Sequence, residues 1–346
     1  MGRLAGTARR RVASGGREMT AAQARVAEAV RVTTALKGHF FPTPTFREVQ
    51  REFDLLLAER RANIEARRQR ETRGLLLVGA SGAGKTTLVE AVLRQHTTDL
   101  RMLSKEQEQA DVISMKVPSP ATPKGVGLAM LEALGYHLRR DRSAHIIWQL
   151  IKSQFAARQV LFLHLDEAQD FGQHNNRSDQ YAVISTLKSL MQSPEWPVGL
   201  ILSGMPRLLD LVNMDTQLAR RLKPVEVHPL KASVDGRMIV SALRQYAVAA
   251  QVAVEDSLYT PRFVTRLVHA SDYCFGILAE LICEAIGQML MAGEGELSEK
   301  SFVACYARRS GCPEGLNPFI AENFRAINVR ELLQPAPGLG DIRRRA

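Results

Sequence analysis

The chain has 346 residues, 45% hydrophobic and 24% charged, a balance that supports a packed core and excludes wholesale disorder. Its net charge of +10 points to an anionic partner, but the surplus is local. Residues 1–73 carry 16 basic and 8 acidic side chains, residues 341–346 carry three Arg and one Asp, and residues 74–340 carry 27 of each sign. No apolar run approaches the ~20 residues of a membrane span, so a soluble protein without membrane contact is expected.

Residues 1–19 read as a disordered basic arm. The arm lacks the apolar stretch of a secretory signal, although its Arg-rich, acid-poor make-up also suits an organellar transit peptide. A helical extension follows over 20–73. Its first helix runs from Thr20 to about residue 36, and HFFPTPT is a loop broken by Pro42 and Pro44. Thr45 and Glu48 have capping-box spacing and open a second helix to about residue 70, with Phe46, Val49, Phe53, Leu56 and Leu57 on one face.

From residue 74 apolar strand-like runs (75–78, 112–117, 160–165, 198–203, 224–228) alternate with helical segments up to residue 230. This alternation predicts an α/β domain with a parallel sheet flanked by helices. Between 231 and 320 only helical patterns occur, predicting a smaller C-terminal helical domain, and 321–346 reads as a tail. The four cysteines, Cys274, Cys283, Cys305 and Cys312, form no C-x-x-C pair. Buried or free thiols in a reducing, cytoplasmic compartment are expected.

Residues 79–86, Gly79-Ala80-Ser81-Gly82-Ala83-Gly84-Lys85-Thr86, are a P-loop, with Thr87 next in line. Such a loop curls its N–H groups around the phosphates of ATP, its lysine reaches the β- and γ-phosphates, and its Thr86 hydroxyl ligates Mg²⁺. A second apolar run ends in Asp166 and Glu167. On a strand beside the P-loop strand, Asp166 would face Mg²⁺ and Glu167 would polarise the attacking water. An acidic pair after a strand also serves as a helix cap. Ser203 ends the run 198–203 and is placed to sense the γ-phosphate or hold the water, or simply to help a turn. Arg220 and Arg221 are either a solvated pair or an arginine finger that reaches the site of a neighbouring subunit.

The order of these segments carries a resemblance. A P-loop after a long helix, LDEAQ, LKSLMQ, SGMPRLL and QLARRL, with Asn317-Pro318-Phe319 closing the helical region, resembles the TniB/TnsC family of transposition ATPases. The resemblance implies an AAA+ fold whose helical domain is a lid over the nucleotide. It also implies a bacterial, nucleoid-associated ATPase, slow and stimulated by DNA or partners. Such proteins assemble as a ring or helical filament on duplex DNA and recruit or activate a DDE transposase, with a TniQ-like targeting factor as a further partner. Hydrolysis then disassembles the polymer. Gly79, Gly84, Lys85 and Thr86, the pair Asp166 and Glu167, Ser203, and Arg220 or Arg221 carry the family's site roles. One departure is Ala279, which stands where the lid of related initiators carries a nucleotide-sensing Arg.

Within that picture DNA contacts are to backbone phosphates and independent of sequence. Lys116, Thr122 and Lys124 are the candidates after the second strand, Arg139 and Arg140, with Arg142, form a second cluster, and the basic arm is a third. Two other functions compete. An ATP-binding oligomeric scaffold would bind nucleotide with negligible turnover, and a small-molecule P-loop kinase would need an acceptor site.

Overall fold

The computed structural model describes residues 20–68, 70–103, 109–119, 121–172 and 177–330. The basic arm over 1–19 and the tail from 331 lie outside them. Two helices come first, α1 (Ala21–Lys37) and α2 (Pro44–Glu65). The body follows as β1 (Gly74–Gly79), α3 (Lys85–Gln95), β2 (Val112–Lys116), α4 (Pro123–Ala133), α5 (Ala144–Arg158) and β3 (Phe162–Asp166). It continues as α6 (Arg177–Met191), β4 (Gly199–Gly204), α7 (Leu208–Asn213), α8 (Thr216–Ala219) and β5 (Leu222–Val227). The last region holds α9 (Ala232–Ala250), β6 (Ala253–Val254), α10 (Pro261–Ala270), α11 (Phe275–Ala292), β7 (Glu296–Leu297) and α12 (Glu299–Ser310).

The five long strands form one parallel sheet in the order β2-β3-β4-β1-β5. Its central strands are apolar on both faces because successive side chains alternate and both faces are covered. Leu76, Val78, Ile113, Leu163 and Leu200 face the core shared with α4 to α8. Leu75, Leu77, Val112, Phe162 and Ile201 face α2 and α3. Asp166 is therefore not on a strand beside the P-loop strand, as the sequence led us to expect. Strand β4 lies between β3 and β1, so Ser203 sits between the carboxylate and the P-loop.

Helix starts follow local chemistry. Thr20 forms a capping box with Gln23. Thr43, Thr122 and Thr260 each precede a proline at the first helical position and accept a backbone N–H three residues on. Each such cap contributes about 1 kcal/mol. The cap of α2 is thus Thr43 rather than Thr45, since Pro44 has the backbone geometry of a first turn and loses no hydrogen bond there.

The two leading helices do not form one unit. Helix α2 buries Phe46, Val49, Phe53 and Leu57 against the sheet, whereas Val32 and Leu36 of α1 enter the core of the helical domain. Residues beyond 320 also join that core. Val329 is buried, Phe324 packs edge-on against His269, and Arg266 donates to the carbonyls of Pro318 and Ala321. Helix α11 has the length and mean hydropathy (1.6) of a membrane span, but it packs against α1, α9 and α12. All four cysteines are buried free thiols.

Candidate nucleotide site

The site lies at the C-terminal ends of the sheet strands, where ligands of open α/β sheets bind. Gly84 has φ +90° and caps α3, and Gly82 has φ +76°. A side chain is strained at either position, which is why this turn is made of glycine. Lys85 is buried and its Nζ donates to the carbonyls of Gly79 (3.0 Å) and Ala80 (2.9 Å). Burial pulls the Lys85 pKa down, while the carboxylates of Glu167 and Asp166 work against that pull. Phosphate oxygens would give the ammonium better acceptors than these carbonyls.

Asp166 accepts from the Thr86 hydroxyl at 2.7 Å and from the Ser203 hydroxyl at 2.5 Å. Burial alone would raise its pKa, but these two hydrogen bonds hold it below the usual carboxylate range. An ionised Asp166 beside the Thr86 hydroxyl is a pair of hard oxygen donors and suits Mg²⁺. Among the described residues no cluster of three or more His, Cys, Asp or Glu forms an all-protein metal cage. A Mg²⁺ carried in with phosphate oxygens needs none. Glu167 has φ +54°, a left-handed conformation unusual for a glutamate and frequent at functional sites.

Several contributors lie outside the sequence reading. Gln169, 3% exposed, donates its amide to Glu167 at 2.5 Å and accepts from the Met205 N–H at 2.9 Å. It ties the candidate base to the segment just after Ser203. His164, 1% exposed, bonds Ser203 at 2.9 Å and Ser114 at 2.8 Å. A histidine inside the apolar run VLFLHL was the available signal, because a buried parallel strand has no other reason for an imidazole. Burial lowers the His164 pKa, so the ring is neutral at pH 7.

The P-loop opens into a cavity of about 1350 Å³. Its walls include His39, Phe41, His228, Leu230, Tyr246 and Ala279. His39 Nε2 is buried and has no hydrogen-bond partner among the described residues. The lid touches the P-loop directly. The Ile277 N–H donates to Gly82 O at 3.2 Å, and a Cβ at Gly276 would lie 2.4 Å from the same oxygen. Ala279 lines this cavity and brings no charge to it.

The remaining candidates sit apart. Arg221 is tied to Glu71 and to the Gln217 carbonyl of its own chain, whereas Arg220 is exposed. Lys116 is exposed at the end of β2, in register with Asp166, and the next residue, Val117, donates its N–H to Asp166 O. The Thr122 hydroxyl caps α4. Lys124 pairs with Asp141 at 2.7 Å, which brings it beside the exposed Arg139, Arg140 and Arg142.

The profile of the family described as Bacterial TniB protein matches residues 44–232, from α2 to the first residue of α9. The chain belongs to the TniB family. No curated protein matches it. Among solved structures it is similar to the Aeropyrum pernix ORC1 protein in complex with DNA, with 16% identity and a TM-score of 0.54. That match covers 78% of this chain and 66% of the ORC1 chain, just under two thirds. Cdc6p from Pyrobaculum aerophilum matches at 13% identity and TM-score 0.55, over 80% and 70% of the two chains. The Aeropyrum pernix ORC2 protein matches at 14% and 0.54, over 78% and 70%. At such identities the likeness is one of fold. This TniB family member has an AAA+ fold with a P-loop, and its profile match ends where the helical domain begins.

Proposed function

We propose that this protein is a cytoplasmic ATPase that assembles on duplex DNA and regulates transposition. The observation that carries the catalytic part is the convergence of Lys85, Thr86, Asp166, Glu167 and Ser203 at the C-terminal ends of the strands, where Lys85, Thr86 and Glu167 line a cavity large enough for a nucleotide. In this reading the P-loop N–H groups and Lys85 hold the phosphates of ATP, and Thr86 and Asp166 hold Mg²⁺. The metal, when bound, supplies charge neutralisation at the phosphate oxygens. Glu167 orients and polarises the attacking water, with Gln169 setting its rotamer, and Ser203 holds Asp166 in place.

The regulatory part rests on the family. The chain forms a ring or filament in which Arg220 reaches the neighbour's nucleotide. Lys116, Lys124 and the 139–142 cluster, on the side of the sheet where β2 ends, grip DNA phosphates. A DDE transposase and a TniQ-like factor are the partners recruited. The uneven charge supports this division, since a body with balanced charges must hold DNA through local lysines and arginines repeated over subunits.

Electron microscopy and phosphate-release assays of the protein with duplex DNA test the reading. With a slowly hydrolysed ATP analogue, polymers threaded by DNA are expected. With ATP they should dissolve as phosphate is released, and Glu167→Gln should preserve them. Phosphate transfer to a metabolite with no nucleotide-dependent DNA retention would replace this reading with a kinase. Polymers whose lifetime is the same for wild type and Glu167→Gln would replace it with a scaffold.

A further inference from the structure

Strands β2, β3 and β4 carry a line of polar side chains that the site roles above leave partly unexplained. Ser114, His164, Asp166 and Ser203 lie on the sheet face covered by α3, by the alternation that puts Val112, Phe162 and Ile201 there. Their hydrogen bonds form one chain: Ser114 Oγ to His164 Nδ1 (2.8 Å), His164 Nε2 to Ser203 Oγ (2.9 Å), Ser203 Oγ to Asp166 Oδ1 (2.5 Å). Thr86 closes it on Asp166 Oδ2 at 2.7 Å.

The donors can be assigned by counting protons. Ionised Asp166 only accepts, so Ser203 must spend its single proton on it. Ser203 Oγ therefore accepts from the imidazole, which makes Nε2 the protonated nitrogen. Nδ1 is then an acceptor and takes the Ser114 proton. Every polar atom in the line is satisfied by this one arrangement. Without His164, the buried Ser203 hydroxyl loses the donor that holds its oxygen in place.

We infer that His164 is a positioning residue for hydrolysis: its Nε2–H fixes the Ser203 hydroxyl on Asp166, and Ser114, exposed on edge strand β2, donates to Nδ1 and steadies the ring. This rests on the proposed ATPase reading and deepens it. It also gives the edge strand that ends in Lys116 a hydrogen-bonded connection to the Asp166 carboxylate, by way of His164 on β3 and Ser203 on β4.

Nitrogen-15 NMR of the histidine rings in nucleotide-free wild-type protein tests the tautomer, with the His164 signal identified by its loss in His164→Asn. The Nε2–H tautomer is expected, and Ser114→Ala should change its nitrogen shifts without unfolding the protein. An Nδ1–H tautomer reverses the donor order and overturns the inference. Steady-state kinetics supply the second measurement. His164→Asn can meet Ser114 but cannot reach Ser203, and its kcat should fall about tenfold with nucleotide affinity within about twofold of wild type. His164→Gln carries an N–H near the Nε2 position and should recover most of that loss. Equal kcat in wild type, His164→Asn and His164→Gln overturns the inference. Absence of turnover in wild type with DNA present would instead refute the ATPase reading and leave the tautomer measurement standing.

Discussion

Gly276→Ala probes the contact between lid and P-loop. A Cβ at this position would lie 2.4 Å from Gly82 O and 3.1 Å from Gly84 N. Both are backbone atoms of a loop bent through two positive φ values, so no side-chain rotation relieves the conflict. The start of α11 must back away, stretching the 3.2 Å hydrogen bond from Ile277 N–H to Gly82 O. Overpacking of this kind costs about 1–3 kcal/mol, and the weakened hydrogen bond about 1 kcal/mol more. Better helix propensity of Ala returns at most about 1 kcal/mol. The net is about 2 kcal/mol, or a melting temperature lower by about 4–8 °C for a unit of this size. Scanning calorimetry of the nucleotide-free protein reads it directly. Gly295→Ala is the control, because a Cβ there meets no atom of the described residues within 4 Å. If Gly276→Ala melts with the control, lid and P-loop are not in the contact described here, and the reasoning fails.

Glu167→Gln should lower phosphate release by about 100-fold or more while leaving ATP binding intact, as seen by a fluorescent nucleotide titration. Arg220→Ala and Arg221→Ala should separate: the first should lose turnover in the assembled state with unchanged melting, and the second should keep turnover and lose about 1 kcal/mol or less by denaturant titration, since its Glu71 bridge is partly exposed. Lys116→Ala combined with Lys124→Ala should weaken DNA binding at every sequence and flatten its salt dependence, measured by anisotropy across a salt series. For Asp111, burial pushes its pKa up, but hydrogen bonds from Arg101 outweigh this and hold the carboxyl below its usual range. A depressed native pKa adds stability above the unfolded value near 3.9 that is lost as pH falls through the native value. Asp111→Asn should therefore destabilise the protein at pH 7 and show a smaller loss of stability below about pH 4 in acid titrations.

The parallel sheet was legible in the sequence because its strands are apolar on both faces, a pattern that helix and hairpin segments do not share. The P-loop, Asp166, Glu167 and Ser203 were legible for a related reason: they sit at strand ends, where chemistry follows position in the motif. Strand order was not legible. The insertion of β4 between Asp166 and the P-loop strand depends on crossovers that leave no local mark. Nor did the sequence show that α1 belongs to the lid, since its buried positions, Ala29, Val32 and Leu36, do not say which core they enter. His164 acts through side-chain hydrogen bonds between strands and Gln169 through one to the segment after β4, and such pairing is not written along one segment. The basic arm, with a large part of the charge surplus, lies outside the described residues.

The division of the two leading helices between cores has a mechanical consequence. The lid is joined to the sheet body by two straps, residues 38–43 between α1 and α2 and residues 228–231 between β5 and α9. Both straps carry residues that line the nucleotide cavity. A domain on one strap can swing in any direction, but a domain on two turns about the line that joins them, like a door on a pair of hinges. Each hinge here is also part of the cavity wall, so an occupant of the cavity would bear on the axis itself. Such a geometry would couple lid angle to occupancy without a charged residue at position 279.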